Sequence, residues 1–423
     1  MRRRPYSRVS RAGSTLLYSF TALAVWAHAV QGQTDSVRAD STRRAAAAAR
    51  ARADTVGVQG GIYRRPFIGG AGQTAIGGYA EANTNYFVED GIGEGFSMEL
   101  RRFNIFLYSA IGPRLRFIAE LEFGHGTAEI DLETALLDFQ IDPRLVLRAG
   151  VLLPPIGAFN VNHDSPRWEL VDRPLVSTRI IPSTLAEVGF GAYGRLALRI
   201  GTLTYDAYLT NGLGDGVVQN TEGRTLLAGG KRANQFEEDN NGSPAVSGRL
   251  ALQRRGLGEI GVSYYGAVYN SFRADGLAVD DRRRLSLSAL DVGVSVGALS
   301  LRGEVAVARI DVPESLAEVF GDRQWGAHLD AVVPVWRPRV LGLRNATVNA
   351  ALRVEYVDYN VGTFRSTARA IRDDVFALVP GLSFRPVAGT VFKVNYRRHW
   401  TRDLLGNATA RLGGYQVGMA TYF

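Results

Sequence analysis

Five histidines, His28, His125, His163, His328 and His399, are the first residues to test for chemistry. None stands in an H-E-x-x-H run or a two-histidine metal spacing, and no G-x-S-x-G elbow or phosphate-cradling glycine loop occurs. The absence of cysteine removes disulfide, thiolate and cysteine-metal chemistry together. No catalytic residue, metal or cofactor is therefore expected. The chemistry left is that of charged side chains set at every second position of short apolar segments. Lys393, Asn395 and Arg397 alternate with Phe392, Val394 and Tyr396; Arg116, Glu120 and Glu122 with Phe117, Ala119, Leu121 and Phe123; Asn349, Arg353 and Glu355 with Val348, Ala350, Leu352, Val354 and Tyr356. In a strand, such alternation places charge on one face and apolar groups on the other. A charge facing lipid near the midplane costs about 2–4 kcal/mol, so so charged a face requires water.

The elements that must hold these residues are strands. Beyond the N-terminus no run of about eighteen apolar residues exists to span a bilayer as a helix. Instead, 48 Gly and 17 Tyr accompany short Val-, Leu-, Phe- and Tyr-rich segments punctuated by turn residues. About sixteen such strands are legible between Thr74 and Phe423. Nearly every second connection is short, as in Gly112-Pro113-Arg114, Asp142-Pro143-Arg144 and Gly297-Ala298, with Trp336 to Ala346 the longer member of this set. The alternate connections are mostly long and polar, above all Pro154 to Ala186 and Gly212 to Pro244. A soluble sandwich does not sort its loops this way, whereas an outer-membrane barrel does. The closing segment agrees: Tyr415, Val417, Met419, Thr421 and Phe423 alternate with Gly414, Gln416, Gly418, Ala420 and Tyr422.

The N-terminus reads as an export signal. Arg2, Arg3, Arg4, Arg8 and Arg11 precede an apolar stretch from Ser14 to Val30, and Ala27-His28-Ala29 forms a small-x-small cleavage site. The expected organisation is a signal peptide over 1–29, a periplasmic Ala/Arg-rich linker over 30–73 and a transmembrane β-barrel over 74–423. The formal net charge of +8 is concentrated in the leader and linker, so the barrel itself is nearly neutral and nucleic acid is not an expected partner.

Four segments, GGYAEANTNYF (Gly77 to Phe87), RFIAELEFGHG (Arg116 to Gly126), LETALLDFQIDPRLVLRAGVLLPPIGAFNVNH (Leu132 to His163) and RPLVSTRIIPSTLAEVGFGAYGRL (Arg173 to Leu196), resemble the phosphate-selective porin O and P family of outer-membrane porins. The resemblance covers about residues 75 to 211, and the rest by architecture. It implies a sixteen-stranded trimeric porin whose third extracellular loop folds inward to narrow the pore. In this chain that loop is Pro154 to Ala186, carrying His163, Asp164, Arg167, Trp168, Glu169, Asp172, Arg173 and Arg179 as constriction residues, with Pro154, Pro155, Pro166, Pro174 and Pro182 fixing its course.

Family members that prefer phosphate line the lumen with arginines and a lysine cluster. The pore-lining candidates here are Arg102, Arg116, Arg148, Arg195, Arg249, Arg302, Arg353, Lys393 and Arg397, opposed by Glu120, Glu122 and Glu355. Forked guanidinium donors match phosphate oxygens. Lysine is too scarce for a recognisable cluster, and inward Arg set against inward Glu is the transverse field of a general porin. The expectation is thus an all-β outer-membrane porin, embedded in lipid as a homotrimer and passing small hydrophilic solutes or anions such as phosphate. The alternatives are a non-conducting barrel acting as an anchor or adhesin and, further off, an outer-membrane enzyme.

Overall fold

The alternation read from the sequence becomes sixteen long antiparallel strands in the computed structural model, which describes Ile62, Arg65, Pro66 and residues 74–231, 236, 241–339, 342–343 and 345–423. The stretches expected to be a signal peptide (1–29) and, for the most part, a periplasmic linker (30–73) lie outside the described residues. In chain order the barrel strands are β1 (Thr74–Glu89), β2 (Ile92–Ala110), β3 (Leu115–Gly124), β4 (Glu129–Asp142), β5 (Leu145–Leu152), β6 (Glu187–Leu198), β7 (Gly201–Thr210) and β8 (Ala245–Arg254). They continue as β9 (Gly258–Val268), β10 (Arg284–Val296), β11 (Leu299–Ile310), β12 (Arg323–Trp336), β13 (Thr347–Asp358), β14 (Asp374–Val387), β15 (Thr390–Arg402) and β16 (Leu412–Tyr422).

Each strand pairs with its sequence neighbours, and β1 pairs with β16 from Tyr79 opposite Tyr422 to Glu89 opposite Leu412. That last ladder closes the cylinder and leaves no open edge, which a lipid environment requires. Gly78 and Phe423 exchange backbone hydrogen bonds of 3.1 and 3.0 Å at the seam. A Cβ on Gly78 would run into the Asn104 backbone carbonyl of β2 and into the Phe423 ring, so glycine is needed there for the strands and that ring to pack this closely.

Side-chain exposure follows the alternation. Leu250, Val262, Val354 and Val394 are exposed, while their neighbours Arg249, Ser263, Arg353 and Asn395 are buried. This inversion of a soluble protein's pattern, with apolar groups outside and polar groups inside, belongs to a barrel solvated by lipid.

The first connection on the long-loop side is an exception to the sorting of short and long loops. It is a two-residue turn, Asp90-Gly91, with φ of 48° and 88°. Two successive positive φ angles suit the right-handed twist of paired strands, and Asp-Gly supplies them. The strands therefore run on past the rim, and residues 92–98 of β2 are exposed on both faces.

Candidate functional site in the barrel lumen

The connection between β5 and β6 lies against inward-facing side chains from most of the circumference. Its backbone donates from Gly157 to Ser263 Oγ at 2.9 Å, from Phe159 to Glu304 Oε1 at 2.6 Å, from Leu175 to Glu355 Oε2 at 2.6 Å and from Val171 to Asn395 Oδ1 at 3.0 Å. Ser177 Oγ takes up the other Glu304 oxygen at 2.6 Å. Lys393 Nζ donates back to the carbonyls of Ser165 and Leu170 at 2.9 and 3.1 Å. The wall groups come from β9, β11, β13 and β15, so loop and wall complete each other's hydrogen bonding. An apolar side of the same loop, with Ile156, Val176, Ile180, Ile181 and Leu185, packs on the small and branched residues of β10 and β11, including Leu285, Leu287, Ala306 and Ala308. Burial and directed polar contacts together give the loop one shape.

Asp172 is held by three side chains of the wall. It accepts from Arg101 at 2.7 Å and from Gln416 at 2.7 Å, and pairs with Arg397, while its backbone carbonyl accepts from Arg353 at 2.7 Å. Burial opposes its charge, but Arg397 and Arg101 outweigh that cost and hold its pKa well below the ordinary carboxylate range. Asp164 is governed in the same way. Burial is overcome by Arg65 and Arg167, and its pKa is also lowered.

Arg65, on the segment preceding the barrel, lies in this interior. It bonds Asp164 bidentately at 3.0 and 2.7 Å, reaches Glu120 at 2.7 Å and stacks 4.0 Å above the Phe106 ring. Ile62 packs with Ile118, Leu136 and Leu152. Ile62 and Arg65, in the 30–73 stretch expected to be a periplasmic linker, are thus buried against inward-facing groups. Its apolar Ile62 and doubly paired Arg65 have partners here that water would replace less well.

The inward cations are mostly neutralised. Arg148 forks onto Asp138 at 2.7 and 2.9 Å, Arg353 onto Asp330 at 2.6 and 2.7 Å, and Arg249 holds both Asp291 at 2.5 Å and Glu259 at 2.8 Å. Arg102 spans Glu81 at 2.8 Å and Glu122 at 3.3 Å. This corrects the pore-lining expectation for Arg148, Arg249, Arg353, Lys393, Glu120 and Glu355. All six are buried: Arg353, Lys393 and Glu355 bond to the loop, Arg148 and Arg249 to carboxylates of neighbouring strands, and Glu120 to Arg65, so their charges brace the structure instead of meeting water. Arg116, Arg195 and Arg397 are half-buried, and Arg302 faces open space in the lumen.

The loop residues divide similarly. His163 donates from Nδ1 to the Asn160 carbonyl at 3.0 Å and meets Glu133 through Nε2 at 2.8 Å. Burial disfavours its charge, yet Glu133 more than compensates and raises its pKa. Glu120, Glu133 and His163 place ligating atoms within 4.8 Å of one another, but His163 already holds Glu133 and Arg65 already holds Glu120. Arg167 donates to Tyr422 and Asn162 at 2.9 and 2.8 Å; Glu169 pairs with Arg385 at 2.8 Å. Trp168 is fixed by its Nε1 bond to the Asn162 carbonyl at 3.0 Å. Arg173 is half-buried with its Nε and Nη2 lacking hydrogen-bond partners among the described residues, and Arg179 is exposed.

Sequence reasoning missed Arg65, Arg101 and Arg385 as loop partners and Asp138, Asp291 and Asp330 as neutralising groups. The last three carried a signal, since each occupies the inward parity of its strand. Their pairing depended on register, which sets Asp138 opposite Arg148 and Asp330 opposite Arg353.

No family model matches the chain. A curated relative from Aquifex aeolicus (strain VF5), described as an uncharacterized protein, is 33% identical over 146 residues, which is 33% of this chain and 32% of that relative. The match thus spans about a third of the relative's length. Among solved structures, the chain is similar to the outer-membrane channel DcaP of Acinetobacter baumannii, with a TM-score of 0.52 and 11% identity over 83% of this chain and 97% of that one. The OmpF of Salmonella typhi, solved with daunomycin, gives 0.52 and 11% over the same shares. The trimer form of the Vibrio cholerae outer-membrane protein OmpT gives 0.51 and 9%, covering 83% of this chain and all of that one. At these identities the likeness is one of fold. With its closed sixteen-strand wall and lipid-facing apolar surface, the protein is a porin-like β-barrel of the bacterial outer membrane.

Proposed function

We propose that the protein is a passive channel for small hydrophilic solutes and ions, with loop 153–186 as its constriction. The observation that carries the reading is a charged inner wall cross-braced to that loop inside a closed barrel. A sixteen-strand circumference leaves interior space beyond its own side chains, and a cavity of about 710 Å³ lies between loop and wall on the short-turn side. Ion preference should be mild, because most inward arginines already hold a carboxylate. This favours general diffusion over phosphate selectivity, for which unpaired guanidinium groups are the recognising chemistry. Phosphate transport in this chain then rests on the few cations without such partners.

The test is single-channel current from the refolded protein in a planar bilayer under a KCl gradient, repeated with phosphate. Stepwise conductance with weak ion preference supports general diffusion; small anion-selective steps blocked by millimolar phosphate support the phosphate branch. A folded barrel that passes no current would refute the channel and favour the anchor or adhesin reading. The density of loop-to-wall contacts is what keeps that second reading in play.

The homotrimer belongs to the same proposal. Ile92, Phe96 and Met98 project from the β1–β2 hairpin beyond the barrel wall, with Phe96 77% and Met98 81% exposed. Apolar groups placed there are suited to burial against a second copy. Cross-linking in outer-membrane fragments should yield a trimer band that Met98→Lys with Phe96→Ser removes.

A further inference from the structure

The cavity between loop and wall carries an uncompensated charge of each sign on opposite sides of a bare glycine. On one side, Arg249 is a single cation shared by two carboxylates, Glu259 and Asp291. On the other, Arg302 donates to the Arg167 carbonyl at 3.0 Å and forms no ion pair among the described residues. Gly293 is the cross-strand partner of both Glu259 and Arg302. A Cβ on Gly293 would meet nothing within 4 Å, so the floor between the two charges is open. Three adjacent strands place Glu259 and Arg302 about 10 Å apart at the backbone, and both side chains point into the same lumen.

The loop supplies the remaining surface. Trp168 packs on Phe159 with ring centroids 4.7 Å apart, and the Arg302 guanidinium lies 5.3 Å from the Trp168 ring. The indole is anchored by its own hydrogen bond, so it presents a fixed aromatic face to the cavity. Free anions meet Glu259 and Asp291 here, and free cations meet Arg302. A molecule carrying both charges close together satisfies both walls, and an aromatic body satisfies the third.

We propose that this is a subsite for the zwitterion of an aromatic α-amino acid, its carboxylate on Arg302, its ammonium on Glu259 and its ring against Trp168. The inference rests on the channel reading above and specifies which solutes linger in the constriction.

The experiment is block of single-channel KCl current at neutral pH by L-phenylalanine, 3-phenylpropionate and phenethylamine, added in turn to the refolded full-length protein. Phenylalanine should interrupt the current at a concentration about tenfold below either singly charged analogue, since each lost charge-assisted contact is worth roughly that factor or more. Arg302→Gln should abolish the advantage of phenylalanine over phenethylamine, and Glu259→Gln its advantage over 3-phenylpropionate. Gly293→Val should weaken block by phenylalanine about tenfold by filling the floor; Gly293→Ala is the smaller change if valine prevents folding. Conducting steps indifferent to phenylalanine, or blocked equally by 3-phenylpropionate, overturn the subsite and leave the channel standing. Absence of steps from a folded barrel overturns both.

Discussion

Arg65, which precedes the barrel in sequence, grips Asp164 of the β5–β6 loop through two parallel hydrogen bonds of 3.0 and 2.7 Å, and both side chains are about 1% exposed. The contact ties the entering chain to the loop inside the lumen. Removing one member of a buried pair strands the other and costs about 3–5 kcal/mol. Arg65→Met should therefore loosen the loop without dissolving the barrel, whose ladders it does not touch. Heat-modifiable migration in detergent should persist, while open-channel current noise rises and loop proteolysis accelerates.

The paired state of the inward arginines changes what charge reversal should do. On alternation alone, Arg353→Glu with Lys393→Glu would move selectivity toward cations. Both residues are buried, and together they hold Asp330, the Asp172 carbonyl and the Ser165 and Leu170 carbonyls. The double variant should instead release the loop, seen as larger, unstable conductance. Arg302→Glu, at the open position, should shift the KCl reversal potential toward cation preference with conductance steps still discrete.

Acid sensitivity follows from the loop carboxylates. The folded pKa values of Asp164 and Asp172 lie below the ordinary value, so their pairing stabilises the loop above about pH 4 and is lost as pH falls through the depressed values. His163 has the opposite sign. Its raised folded pKa makes the Glu133 contact fully stabilising below about pH 6.5 and weaker as pH rises through the folded value. Loop protection measured by hydrogen exchange should thus peak on the mildly acidic side of neutrality. Asp172→Asn should lose protection at every pH, and His163→Gln should flatten the alkaline limb.

The lipid-facing surface makes a simpler prediction. Val262 is exposed on β9 between inward-facing Gly261 and Ser263. Val262→Lys should destabilise the barrel by about 2–4 kcal/mol if the residue sits near the midplane. The check is reversible urea unfolding in lipid vesicles, with Ser263→Thr as an inward-facing comparison expected to change stability far less.

Strand number, facing and membrane class were determined by the sequence itself, because period-two alternation is local: Phe392, Val394 and Tyr396 cannot share a face with Lys393 and Asn395. The sorting of short and long connections was equally local, apart from Asp90-Gly91, whose hairpin chemistry went unread. Which charges would be free was decided only by the tertiary structure. Arg353 and Arg302 look alike in sequence, each an arginine at the inward parity of an alternating strand. Register sets Asp330 opposite both, but Arg353 takes it with two hydrogen bonds, leaving Arg302 open to the lumen. Arg65 reaches Asp164 across 99 positions, a distance along the chain at which no spacing rule operates. Electrostatic pairing depends on separation in space, and in a closed barrel every wall faces the same interior, so the sequence lists the charges and only the closed fold distributes them.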